Sequence, residues 1–423
     1  MAVDSYQFPG DLSLSEIVIK STNGTEVNIT PQVVELNIFE NMFSNSLTAK
    51  LVIVDSVGIV GQLPITGFES VTFTLNNPNS RSKTLDFFVY KIDPRVAINS
   101  HSTGYVLNLV SYEAILDQTT SFSSAFSGKI SAIVKTVFKR FFGGRNKVIE
   151  LHETDNSTRA ICPFWTPFQF INWLANRSFP KGGNAPTFFF FETLSGFYFK
   201  SLDSMFSSAP IAEYIFRPKN IQFKNNALLE KMVTVLDYKV LESATSLELV
   251  SNGAFGAQLY VKDINENSFT KKVYSYSNSN FPRLNEHPIK PSIDAFGSNL
   301  ESPNNTKVIG TCGQPFSDTS DVNNFDRWVM ERKAVIELLN AKRVEIYVHG
   351  HLAAEVGKTV ELILPTGEKT IDNFVSGKYL IVGLNHSINN QSKHMMSLEL
   401  VSESYISEAH KANLLDRTVK VSK

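Results

Sequence analysis

In the stretch "VHGHLAAEVGKT", His349 and His351 stand two residues apart. On an extended strand both would point the same way and could clasp a metal ion. The chain supplies no third ligand at a useful spacing. Glu345 and Glu355 are merely nearby, and His386 and His394 are isolated. An exposed strand end is therefore the expected setting for the pair. The same stretch holds Gly350, Gly357 and Lys358, which invite comparison with a phosphate-binding loop. Such a loop has four residues between its glycines and opens a helix. Here six residues intervene, and Lys358 leads into the strand-like run "TVELIL". These glycines are read as turn residues. No G-x-S-x-G elbow and no H-E-x-x-H helix occurs. The 41 acidic residues offer no particular pair for glycoside-type acid–base chemistry. Cys162 and Cys312 lie far apart and read as buried free thiols. The sequence thus nominates no catalytic, cofactor-binding or metal-binding residue.

The elements that would hold any site are plainer. At 423 residues the chain is expected to form two to four domains. Its 40 basic and 41 acidic residues are unclustered, which argues against dedicated nucleic-acid binding and against adhesion to an anionic membrane. The start lacks the basic and apolar regions of a secretory signal, and no apolar run reaches the ~18 residues of a spanning helix. The expected folding compartment is a reducing cytoplasm.

The stretch "PTFFFFETLSGFYFKSLD" (Pro186–Asp203) reads as a β-hairpin turning through "TLSG", where Gly196 tolerates a positive φ. Consecutive phenylalanines put rings on both faces, so both faces must be covered by protein. The covering helices stand upstream. "TPFQFINWLANRSF" has Thr166 as N-cap and Pro167 in the first turn, with Phe170, Ile171, Trp173 and Leu174 on one face. "SGKISAIVKTVFKRFFGG" carries an apolar stripe of Ile130, Ile133, Val134, Val137, Phe138 and Phe141.

The chain also echoes itself. "TAKLVIVDS", "GFESVTFTL", "LDFFVYKID" and "GYVLNLVSYE" find counterparts in "AKRVEIYVHG", "VGKTVELIL", "KYLIVGLNH" and "MMSLELVSES". Leu107, Leu109, Val110 and Ser111 answer to Leu398, Leu400, Val401 and Ser402, and Phe73 to Leu362. Four strands in the same order and spacing indicate a duplicated small antiparallel sandwich or barrel. The expected class is α+β and β-rich: two similar small antiparallel β-barrel domains plus an α+β domain with helices packed on an aromatic hairpin. The expected units are a first barrel (1–115), the helix/hairpin domain (116–205), a second barrel (206–250 and 341–405), a loop-rich insert with a helix (251–340), and a C-terminal helix and tail (406–423). That insert helix, "NFDRWVMERKAVIELLNAKR", has a stripe of Trp328, Val329, Ala334, Val335, Leu338 and Leu339.

The ordered set "GFESVTFTL", "FFVYKI", "GYVLNLVSYEAI", "CPFWTPFQFINWLANRSF" and "PTFFFFETLSGFYFKSLDSMF" resembles the central baseplate hub proteins of contractile-tailed, T4-type bacteriophages. The N-terminal region of type VI secretion spike proteins is related to these. The resemblance runs from about Leu14 to Ser407 and is most specific over Cys162–Phe206. It implies a structural virion protein with no enzymatic activity, catalytic residue or cofactor. It further implies a homotrimer whose six barrels form a torus between a threefold tail spike below and a sixfold tail tube, or tube-initiator protein, above. DNA would pass through the lumen only in transit, and baseplate wedge proteins are possible further partners. Without an enzymatic or OB-fold spike extension after Ser407, a separate spike chain is expected. No stable membrane binding is implied; the expected location is the virion tail baseplate, after synthesis in the host bacterial cytoplasm. Two other readings stay open: a tail enzyme degrading cell-wall glycan or peptide, and a carbohydrate-binding module using exposed rings.

Overall fold

A computed structural model describes residues 8–414 apart from 60–62, 64, 79–81, 145–146, 183–185, 218–226, 244–245, 264–266, 277–282, 290–304, 312–324, 368–369, 392 and 413. The chain opens with strands β1 (Val18–Lys20), β2 (Val33–Asn41), β3 (Thr48–Asp55), β4 (Ser70–Asn76), β5 (Lys83–Ile92) and β6 (Ser102–Ser111). The longer ones alternate buried and outward positions with the period of two that a half-buried sheet requires. Their inward side chains, among them Leu36, Leu51, Val71, Phe73, Phe87 and Leu107, share one core. The rings of Phe73 and Phe87 stack at 5.6 Å.

Next come β7 (Phe122–Lys129), α1 (Ile130–Phe142), β8 (Ser157–Trp165), α2 (Pro167–Ala175), β9 (Phe188–Thr193) and β10 (Gly196–Ser201). Thr166 and Gln169 form a reciprocal capping box at the start of α2. In α1 the buried stripe includes Phe142, whereas Phe141 is only partly buried. The aromatic hairpin turns through Leu194 and Ser195 alone, since Thr193 pairs with Gly196; the turn is tighter than the four residues expected. Gly196 has φ +139°, and a Cβ there would stand 2.6 Å from the Val148 carbonyl oxygen.

The remainder comprises β11 (Glu213–Phe216), β12 (Thr234–Ser243), β13 (Gly256–Asp263), β14 (Ser268–Ser275), β15 (Asn305–Thr311), α3 (Phe325–Leu339), β16 (Lys342–His349), β17 (Thr359–Ile363), β18 (Gly377–Asn389) and β19 (His394–Val401). Strands β17–β11–β12–β16–β19–β18 close back on β17 as a six-stranded barrel. Its pairs are antiparallel except the two made by β11. β18 also pairs with β2, so the barrel and the first sheet run into one continuous fifteen-stranded sheet among the described residues. Within the loop-rich 251–340 stretch, β14–β13–β15 form a small sheet whose Leu259 and Tyr274 pack on Met330 and Ala334 of α3. Ala334, Val335, Leu338 and Leu339 are buried as the stripe predicts, while the Trp328 side chain and Cys312 lie outside the described residues.

The hairpin β9–β10 is buried on both faces, and alternation divides its rings between cores. Phe188 and Phe190, with Phe197 and Phe199, join the core of α1 and α2. Phe189 and Phe191 join the barrel core with Met205 and Leu362. Leu194 at the tip joins the core of the first sheet. Truncation of one such ring leaves a cavity between units that cannot collapse independently. Phe191→Ala is expected to cost about 3–5 kcal/mol in denaturant unfolding. Phe164→Ala, on a ring 75% exposed, should stay within about 0.5 kcal/mol.

Candidate assembly interface

The first sheet and the barrel repeat each other strand for strand. The order β2–β3–β6–β5–β4 matches β12–β16–β19–β18–β17 in sequence and in space, with antiparallel pairing throughout. Register agrees as well. Leu109 faces Ala49 and Val89, as Leu400 faces Val344 and Ile381. Val71 faces Phe87, as Val360 faces Tyr379. Two bulges recur at matching positions: between Val33 and Glu35 as between Val235 and Asp237, and between Val89 and Lys91 as between Ile381 and Gly383. A bulge bends its strand and is costly to place by chance. The fifth pair, β2 with β12, escaped sequence reading because "VVELNIFEN" and "TVLDYKVLES" share little beyond apolar spacing. The repeats part company at the sixth position, where β1 is antiparallel to β4 but β11 is parallel to β17.

The bulge in β18 gives one edge two partners. Gly377–Leu380 pair with β17, and Gly383–Asn389 pair with β2. This second half joins the repeats within the chain. In β5, the matching strand, residues up to Phe88 pair with β4, and among the described residues nothing pairs with that edge beyond the bulge. Likewise β12, the match of β2, pairs on its outer edge among the described residues only through Thr234 and Val235. Apolar side chains are exposed at both places. Tyr90, Val96 and Ile98 are more than half exposed, and Leu236, Tyr238, Val240 and Leu241 are 37–41% exposed. The two open edges are therefore the counterparts of the two edges already joined by β18 and β2.

Buried polar groups lock the junction. Glu40 of β2 accepts hydrogen bonds from the Leu194 amide (2.7 Å) and the Val356 amide (3.0 Å), tying the first sheet to the hairpin tip and to the loop before β17. Burial pushes its carboxyl up to about 8, against the lowering by the two amides. Ser195 of the tip donates to Glu355. Glu192 accepts from the Leu47 amide (2.8 Å) and the Ser111 hydroxyl (2.7 Å), and Lys147 bridges it to Glu113. These are paired carboxylates, and the Glu192 side chain is 0% exposed.

The chemistry-bearing residues of the sequence fall into structural places. His351 is buried, against expectation, and its Nε2 meets the Tyr214 hydroxyl at 2.7 Å. His386 and His394, far from isolated, are buried on adjacent strands with Nδ1 and Nε2 2.9 Å apart. His349 ends β16. Among the described residues no cluster of three metal-ligating side chains occurs. Gly350 leaves room for the His394 ring, which a Cβ would approach to 2.2 Å. Gly357, at φ +83°, leaves room for Phe191, which a Cβ would approach to 2.7 Å. Cys162 is a buried free thiol. Among the described residues no helix is long and apolar enough to cross a membrane.

No family model and no curated protein matches the sequence. Among solved structures, the tail protein from Neisseria meningitidis MC58 aligns over 92% of this chain and 96% of its own, with TM-score 0.56 and 12% identity. The 43 kDa tail protein of prophage MuSo2 from Shewanella oneidensis aligns over 92% and 99%, with TM-score 0.52 and 11% identity. The chain thus shares its fold with these two tail proteins.

The titrating groups give the junction a pH signature. Burial holds His351 down to about 4, His386 down to about 3 and His394 well below the usual range. Unfolding frees them to bind protons near 6.5, so their stabilisation is present above 6.5 and lost as pH falls towards 4. Glu40 has the opposite sign: its raised value contributes stability present below 4.5 and lost as pH rises through 8. In chemical denaturation across pH 4–9 each contribution is read as the difference between the chain and its variant, because burial also lowers Lys342 to about 7 and adds stability that rises with pH. His386→Leu should remove about 1.4 kcal/mol per pH unit from the acid limb, and Glu40→Gln should flatten the alkaline limb.

Proposed function

We propose that this chain is a structural virion protein, the trimeric central hub of a phage tail baseplate. The observation that supports this most directly is the matched pair of sheets, with one junction made inside the chain and the complementary edges left open. In the proposed ring, residues near 91–98 of one copy lie against residues near 236–242 of the next, repeating the β18–β2 junction. Three chains then supply six similar sheets, so a threefold spike below meets a sixfold tube, or tube-initiator protein, above. Edge pairing also accounts for the apolar side chains exposed on β5 and β12, which would be aggregation sites on a lone chain. Lys91, Asp93 and Arg95 on one edge, and Asp237, Lys239 and Glu242 on the other, provide both signs for a polar rim.

The proposed role is mechanical and not enzymatic. The chain would join spike to tube in the virion baseplate and line part of the channel through which DNA passes. Near-balanced charge suits a wall that must not retain a polyanion. The domain units expected from sequence, 1–115, 116–205, 206–250 with 341–405, 251–340 and 406–423, are kept within this proposal as the parts of each protomer.

Light scattering should give three times the chain mass of 47.2 kDa for the purified chain alone, or that mass plus the mass of the bound spike protein when the spike is needed for assembly. Class averages of that species should show a ring with six similar lobes. Val240→Lys on the open β12 edge should leave the fold intact by circular dichroism and shift the mass to one chain. A persistent monomer in the presence of the spike, or a trimer untouched by edge lysines at both Tyr90 and Val240, would overturn the reading.

A further inference from the structure

Strand β14 is the outer strand of the sheet β14–β13–β15, and among the described residues no strand lies on its second edge. Six consecutive residues, Ser268–Val273, are exposed. Pairing places Phe269, Lys271 and Val273 on the face turned away from α3, beside Tyr260 and Lys262. On that face the Phe269 ring stacks on Tyr260 at 5.3 Å, and Lys271 Nζ lies 5.6 Å over the Tyr260 ring. Phe269 is 63% and Val273 56% exposed. A long edge with apolar side chains of this kind pairs with another strand unless something opposes it.

The charges decide which strand. Lys271 and Lys272 stand side by side, so two copies of this edge paired antiparallel about their centres set lysine against lysine. A second copy of the chain is thereby disfavoured. The face carries apolar, cationic and apolar side chains in alternation, and no carboxylate stands among Gln258, Tyr260, Lys262, Phe269, Lys271 and Val273. We propose that β14 takes an extended segment of another protein in which apolar residues alternate with aspartate or glutamate. Main-chain pairing supplies the affinity, and Lys271, between Phe269 and Val273, selects the acidic side chain. This inference goes beyond the ring and survives its failure, because the edge belongs to the insert and can be tested on the unassembled chain.

The test is fluorescence anisotropy of the full chain with a labelled eight-residue peptide alternating valine or threonine with glutamate. The control is the same peptide with lysine for glutamate. The acidic peptide is expected to bind and the basic one not to. Lys271→Glu, a substitution at an exposed position, should weaken the acidic peptide about fivefold or more and reverse the preference. Lys271→Gln should fall between. Equal binding of the two peptides, or no response to either substitution, overturns the proposal. So does binding of an oligothymidylate that displaces the acidic peptide, which would assign the face to nucleic acid.

Discussion

A strand of four consecutive phenylalanines has no side it can turn to water, and the rest of the molecule is arranged around that constraint. Alternation sends Phe188 and Phe190 one way and Phe189 and Phe191 the other, so the hairpin must be a wall between two cores. Its tip then reaches a third, through Leu194. The dry environment this creates explains the polar groups beside it. Glu40, Glu192 and Glu355 are each held by amides, hydroxyls or lysine because an unpaired carboxylate there would be untenable. Gly357 follows from the same wall: the loop before β17 passes so close to Phe191 that no Cβ fits.

Duplication is the second organising fact, and its strongest expression is irregularity. Regular antiparallel strands look alike in any protein, but a bulge at one defined point does not. Here the bulge in β18 frees half of one edge to accept β2, which turns two small sheets into one continuous surface. The same bulge in β5 prepares an equivalent half-edge that no strand among the described residues fills. Curvature, junction and open edge therefore have a common local cause. The differing sixth strand, antiparallel in one repeat and parallel in the other, shows where the copies no longer need to be equal.

Residues that suggest chemistry in a list become structural in context. His386 and His394 are kept neutral by burial, and His351 is fixed against Tyr214. The junction between repeats thus holds titratable groups away from water. That placement is a property of packing and asks for no reaction.

The sequence by itself determined what local periodicity and composition can carry. It determined the aromatic hairpin with two covered faces, the capped helix at Thr166, the stripe of α1, and four matched strands down to the equivalence of the segments around Phe73 and Leu362. Each of these is written within ten or so residues, or in a repeat long enough to compare. Only the tertiary structure decided the rest. The match of β2 with β12 rests on pairing partners, since the two share little beyond apolar spacing. The meeting of His386 and His394 depends on which strands become neighbours. The double use of β18 depends on a bulge that no composition signals. The role of Gly350 and Gly357 depends on rings that arrive from distant parts of the chain. Non-local contacts of this kind are set by which surfaces the core brings together, and a linear string does not record them.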